Sequence, residues 1–130
     1  MCLFTKQLLP RRAKEPITVY KIVYKSHFLY FTPFMHIPIK LKDCITANGP
    51  LTGRPKFDAN GKYVINTVSN GYIHAYKDFE NAKGWCRFFN QECSISNYKV
   101  LMCIIEPSTL YYVNDTEICA RSLTIKGVMY

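Results

Sequence analysis

The residues able to do chemistry begin with three histidines, because imidazole is the side chain whose unperturbed charge change falls nearest neutral pH. His27 and His36 lie in KSHFLYF and FMHIP, aromatic and proline-broken surroundings with no acid within several residues, and read as turn or packing residues. His74, in YIHAY, stands beside Tyr76 with Asp78 and Glu80 following. A strand points residues 74, 76 and 78 to one face only if it runs as far as 78. An imidazole, a phenol and a carboxylate would then share a face, the residue types of general acid–base work. The competing reading is a core histidine donating to a backbone carbonyl, and it ranks first because structural networks often imitate sites.

Six cysteines, Cys2, Cys44, Cys86, Cys93, Cys103 and Cys119, form no Cys-x-x-Cys pair. Cys86, Cys93 and Cys103 with His74 match no compact zinc module, so no metal site is expected. Loss of Met1 would leave Cys2 with an amine able to activate its thiol, but a Cys2-Leu3-Phe4 start tucked against a sheet is the plainer expectation. No Gly-rich phosphate loop, nucleophile elbow or paired-carboxylate motif is present.

Charge is the third kind of chemistry. The chain carries +8 over 130 residues. Residues 1–42 hold eight basic side chains and one acid, and nearly all of the net charge therefore lies in the N-terminal third. Lys6, Arg11, Arg12 and Lys14 cluster ahead of the first long strand-like run, where they could contact phosphates of a nucleic acid or an acidic protein surface. Such a cluster also reads, more plainly, as a solvated terminus.

Composition limits what positions these groups. A chain of 15.1 kDa with 48% hydrophobic residues and mean hydropathy −0.08 is expected to make one soluble domain. No apolar run approaches the roughly 20 residues of a spanning helix. Leu8-Leu9 stops at Pro10 before the charges, the reverse of a secretory signal, so a cytoplasmic location and reduced cysteines are expected.

The elements follow from periodicity. ITVYKIVY (17–24) predicts a strand covered on both faces, Val19 and Val23 against Tyr20, Ile22 and Tyr24. FLYF (28–31) and residues 37–41 predict short strands broken by Pro33 and Pro38. Residues 47–61, rich in Gly and Pro, predict a long surface loop. KYVINT (62–67) and YIHAY (72–76) flank Ser69-Asn70-Gly71 and predict an antiparallel hairpin. Asp78 caps a helix over about 78–90 whose Phe79, Ala82, Cys86 and Phe89 make one stripe. YKVLMCII (98–105) predicts a central buried strand, LYYV (110–113) another, and SLTIKGV (122–128) a terminal one with Leu123 and Ile125 inward. These pieces predict an α+β fold: a mixed, largely antiparallel sheet of about five to seven strands with one main helix packed on it. Residues 1–16 are expected as a basic arm and 17–130 as the single domain.

The segment NGYIHAYKDFENAKGW (70–85), with MCLFTKQLLPRRAKEPITVYKIV (1–23), VLMCIIEPSTLYY (100–112) and ARSLTIKGVMY (120–130), resembles a group of small uncharacterised proteins from gut Bacteroidales and their phages. The resemblance implies a fold type and a mobile-element origin, hence the host cytoplasm if phage-encoded, and no activity. The strand-to-helix unit is also weakly similar to ADP-ribosyltransferase-like domains. That resemblance implies a nicotinamide dinucleotide site with Lys21 on the first strand, Tyr76 as its aromatic and Glu106 as its carboxylate. Lysine lacks the forked guanidinium such a site uses. The expected function is accordingly a small non-enzymatic binding or accessory protein, without cofactor and without membrane, with an ADP-ribosyltransferase-like enzyme or NAD-binding domain as the alternative. Its catalytic candidates are His74, Tyr76 and Glu106.

Overall fold

The computed structural model describes residues 3–27, 29–32, 38–40, 43–47, 53–68, 72–92 and 97–130. Cys2, His36, Cys93 and Ser69-Asn70-Gly71, expected as a hairpin turn, lie outside the described residues. The elements run β1 (Leu3–Thr5), β2 (Arg11–Arg12), β3 (Ile17–Ser26), β4 (Leu29–Phe31), β5 (Pro38–Ile39), β6 (Cys44–Thr46), β7 (Arg54–Phe57), β8 (Tyr63–Val68), β9 (Ile73–Tyr76), α1 (Phe79–Glu92), β10 (Tyr98–Ile105), β11 (Leu110–Val113), β12 (Glu117–Ala120) and β13 (Ser122–Val128). The large sheet follows the order β2-β11-β12-β9-β3-β10-β13-β6, with β4 and β5 attached to β3, and β1-β8-β7 form a small second sheet. Every pairing among the described residues is antiparallel. The fold is the expected sheet with one helix packed on it, built from more and shorter strands than the five to seven expected.

Why the sheet holds together is read best from β3 and β10. Their β-branched and aromatic residues pair without a break from Ile17↔Ile105 to Tyr24↔Tyr98. Alternation then sends Val19 and Val23 to one core, with Leu101, Cys103, Ile118, Leu123 and Ile125, and Tyr20 and Ile22 to another. The first core is enclosed because the sheet curls round it. Only Arg121 separates β12 from β13, which stand on different walls. Its amide donates to the Leu110 carbonyl at 2.9 Å, while its carbonyl accepts from the Ala47 amide at 2.9 Å.

Helix α1 covers the outer face of β9, β3 and β10. Asp78 caps it, its carboxylate accepting from the Asn81 amide at 3.1 Å and its carbonyl from the Ala82 amide at 3.1 Å. Ala82 and Cys86 are fully buried against Ile22, Tyr76 and Val100, with Phe79 and Phe89 flanking them. At the other end the Asn90 amide acts as a strand partner: its oxygen accepts from the Tyr98 amide at 2.8 Å and its nitrogen donates to the Tyr98 carbonyl at 3.2 Å. That clamp fixes the start of β10 beneath the helix.

The small sheet covers the other part of the outer face, and two expectations change there. The residues expected as an arm, 1–16, include β1 and β2, which pair with β8 and β11, and Leu3 and Ala13 are buried. Burying Leu3 stabilises by about 1.5–3 kcal/mol, enough to hold a short strand in place. Gln7 adds a polar staple: its side chain accepts from the Val113 amide at 3.1 Å and donates to the Leu9 and Tyr111 carbonyls. The expected hairpin of 62–67 with 72–76 does not form either. β8 pairs with β1 and β7, whereas β9 pairs with β12 and β3. Asn-Gly turn chemistry favours local pairing, but here Val68 is buried with Leu3, Tyr72, Tyr112 and Cys119 between the sheets. Arg54–Phe57, inside the expected 47–61 loop, is the exposed edge strand β7.

Candidate nucleic-acid interface

The three catalytic candidates do not converge. β9 ends at Tyr76, and Asp78 turns away to cap α1, so His74 and Tyr76 share the outer face without the carboxylate. Register places Tyr76 opposite Tyr20, hence His74 level with Ile22, whereas Ile105 lies opposite Ile17 and Glu106 beyond it. Six residues of strand separate those levels, roughly 20 Å at about 3.3 Å per residue. Glu106 is exposed in the turn after β10, where its carbonyl accepts from the Thr109 amide. Directly across the ladder from His74 is Cys119, which raises the question of a thiol–imidazole pair. Burial pushes the Cys119 thiol up to about 12, so it stays protonated and is no nucleophile.

Lys21, the residue in the cofactor-holding position of the ADP-ribosyltransferase-like pattern, faces inward with Val19 and Val23, away from Tyr76. Its Nζ donates to the His74 carbonyl at 2.9 Å, and burial lowers its pKa to about 8, with Cys103 beside it opposing the shift. Lys21, Tyr76 and Glu106 therefore face three separate places. Cys86 and Cys103 also lie in different cores, on opposite faces of the sheet. His27 is exposed at positive φ in the turn after β3.

The basic residues do gather, in a place that linear charge counting missed. Cross-strand register puts Phe4 opposite Thr67 and Thr67 opposite Arg54, one row across the small sheet. The next row on the same face pairs Ile65 with Lys56, and beyond it Tyr63 with Phe57. A register shift between Lys56 and Phe57 brings the last ring onto that face, where it meets Tyr63 edge to face at 6.0 Å. The Tyr63 hydroxyl donates to the Lys6 carbonyl at 3.0 Å, holding the chain beyond β1 against the face.

The inner side of the same sheet buries Leu3, Thr5, Asn66 and Val68, which explains why alternate residues must face out. Phe4 is 58% exposed and Phe57 52%, and Lys6, Arg54 and Lys56 are exposed. Three rings and two cations, Arg54 and Lys56, thus share one face whose rows contain no carboxylate, and exposed Lys6 follows β1 at its border. The nearest acid in sequence, Asp58, is turned into the β7–β8 loop, accepting from the Asn60 and Lys62 amides at 2.9 Å each. Flat rings beside fixed cations can stack on unpaired bases while the cations neutralise phosphates.

The remaining N-terminal cations lie apart from this face. Arg11 and Arg12 form the edge strand β2 on β11, and Arg12 donates from its guanidinium to the Ser108 carbonyl at 3.0 Å. Charged residues on an edge strand block pairing with another chain, a structural use for this pair. Lys14 is exposed beyond it. Of the four candidates, Lys6 alone borders the small-sheet face; Arg54, Lys56 and Phe57 were missed because residues 47–61 read as loop, Phe4 because the start of the chain read as tucked inward, and Tyr63 because its strand was assigned to the 62–67/72–76 hairpin. Their signal was the alternating Arg-x-Lys of RPKF. No helix among the described residues is long and apolar enough to cross a membrane. Comparison with known proteins finds no match for this chain among family models, curated proteins or solved structures.

Proposed function

We propose that this is a non-enzymatic binding protein whose small sheet engages single-stranded nucleic acid, in the cytoplasm of a gut bacterium or of the host of a phage. The observation that carries the reading is the juxtaposition of Phe4, Tyr63 and Phe57 with Arg54 and Lys56 on one face, with exposed Lys6 at its border. An acidic protein surface would use the cations but has no need of two exposed rings, Phe4 and Phe57, with half-buried Tyr63 beside them; unpaired bases use both. The overall charge of +8 adds long-range attraction to any polyanion.

The test is the anisotropy of a labelled oligothymidylate across a salt series. Each phosphate neutralised on a single strand contributes about 0.7 to the slope of log affinity against log salt. The triple variant Lys6→Ala, Arg54→Ala, Lys56→Ala should therefore lower the slope by about two. A slope that responds equally to Arg11→Ala, Arg12→Ala, Lys14→Ala would move the contact to the sheet edge. Absence of binding at low salt would remove nucleic acid and leave an acidic protein as the partner.

A further inference from the structure

Beside the small sheet, on the same outer face, lies a different kind of site: the Asn114 amide, two residues before Thr116, donates to the Phe4 carbonyl at 3.0 Å. Between α1 and β12 lies a hollow of about 290 Å³ lined by Tyr76, Asn81, Trp85, Phe89, Thr116 and Glu117. Three of its walls are aromatic rings, and Trp85 and Phe89 lie 6.1 Å apart between ring centres at 33° to each other. A fourth wall is the Glu117 carboxylate, directly opposite Tyr76 in the β12–β9 ladder. Side chains so paired lie about 5 Å apart at their Cβ atoms, so acid and phenol share one face as neighbours. Burial and, after it, the Glu117 charge push the Tyr76 hydroxyl up to about 12, so it remains a neutral ring and donor.

Trp85 is 45% exposed, although it sits next to the buried stripe of its helix. A core-packing role would cover it; a role at the mouth of a hollow leaves it open. The cation that follows Tyr76 in sequence is engaged elsewhere. Lys77 donates from Nζ to the Asn114 carbonyl at 3.2 Å. The partial positive charge of the helix N-terminus, which would oppose a cation, is offset by the Asp78 cap. In a protein of net charge +8, the one ionised side chain lining this hollow is negative.

Ring faces attract cations through their quadrupoles, and an adjacent carboxylate supplies the counter-charge. We infer that this hollow binds an organic cation: an alkylated ammonium or a guanidinium whose charge sits among Tyr76, Trp85 and Phe89 and beside Glu117. The site is independent of the basic face on the small sheet and selects ligands of the opposite sign.

Trp85 is the single tryptophan, so its emission reports on the hollow alone. The full-length protein is titrated with choline, with N-acetyl-arginine amide, and with 3,3-dimethylbutan-1-ol, the neutral counterpart of choline. Choline or the arginine amide should shift Trp85 emission saturably, at concentrations at least tenfold lower than the neutral alcohol. The tighter of the two cations tells a free alkylammonium from a peptide side chain. Glu117→Gln should weaken the cation at least fivefold and leave the response to the alcohol unchanged, with the melting temperature retained. Equal responses to cation and alcohol, no response to either cation, or a Glu117→Gln protein that binds as the wild type does would overturn the inference.

Discussion

Replacing Lys21 by Met should stabilise the protein near neutral pH, and by an amount that disappears as pH rises. Lys21 lies among Val19, Val23 and Cys103, and burial lowers its pKa from 10.5 to about 8. At pH 7 it is still protonated, so the folded state carries the whole cost of a buried charge. At about 1.4 kcal/mol per pH unit, a displacement of this size corresponds to about 3 kcal/mol. Methionine fills much the same space but leaves the His74 carbonyl without its donor, which costs about 1 kcal/mol. The net gain at pH 7 is about 2 kcal/mol.

The pH dependence supplies the sharper check. Between pH 8 and 10.5 the unfolded chain keeps the Lys21 proton and the folded protein has released it, so wild-type stability from this group rises with pH. The thiols act the other way: Cys103 and Cys119 are both pushed up to about 12, and their contribution falls above pH 9. Both proteins share those thiols, so the contribution of Cys119 cancels in the difference between Lys21→Met and wild type; that of Cys103, which the lysine charge lowers, is confined to pH above 9, and the difference is dominated by the lysine. Urea unfolding followed by Trp85 emission and circular dichroism at pH 7 and 9.5 measures it. The advantage of Met should shrink by about 2 kcal/mol over that interval. An advantage that is the same at both pH values, or a variant less stable than wild type at pH 7, would refute the placement of a charged lysine in the inner core.

Two further expectations concern the elements that carry the sites. Asp78→Ala removes the acceptor for the Asn81 amide and should destabilise by about 1 kcal/mol, lowering the melting temperature by several degrees. Gly53→Ala would set a Cβ 2.5 Å from the Asn66 amide oxygen, in a side chain that is fully buried and tied to the Gln7 and Leu8 carbonyls. It should cost about 1–3 kcal/mol in chemical denaturation and weaken oligonucleotide binding through the small sheet.

Much of the large sheet was legible because its strands obey one period and are long enough to show it. YKVLMCII and SLTIKGV appear as β10 and β13 with the expected bounds, and Ala82 and Cys86 fall on the buried stripe of α1. The small sheet was hidden because its strands are short and interrupted. Leu3–Thr5 shows one alternation before Lys6 and Pro10, and Arg54–Phe57 contains Pro55 within a Gly- and Pro-rich stretch. Partner choice was hidden too, since Asn70-Gly71 argues for a local hairpin while the burial of Val68 beside Leu3 argues for a distant one. Lys21 illustrates the same limit: a lysine in a strand is expected outside, and only the position of its neighbours across the ladder turns it inward. The basic face depends on these hidden pieces, which is why counting charges along the chain credited it to residues 1–42.

Photo-crosslinking tests that face most directly. An oligonucleotide carrying 5-iodouracil at alternate positions, bound at low salt and irradiated, leaves covalent adducts on aromatic residues that stack on its bases. Mass spectrometry of the digested complex should find them on Phe4, Phe57 and Tyr63. Adducts confined to Trp85 and Phe88, the exposed rings of α1, would contradict the assignment of the small sheet as the nucleic-acid interface.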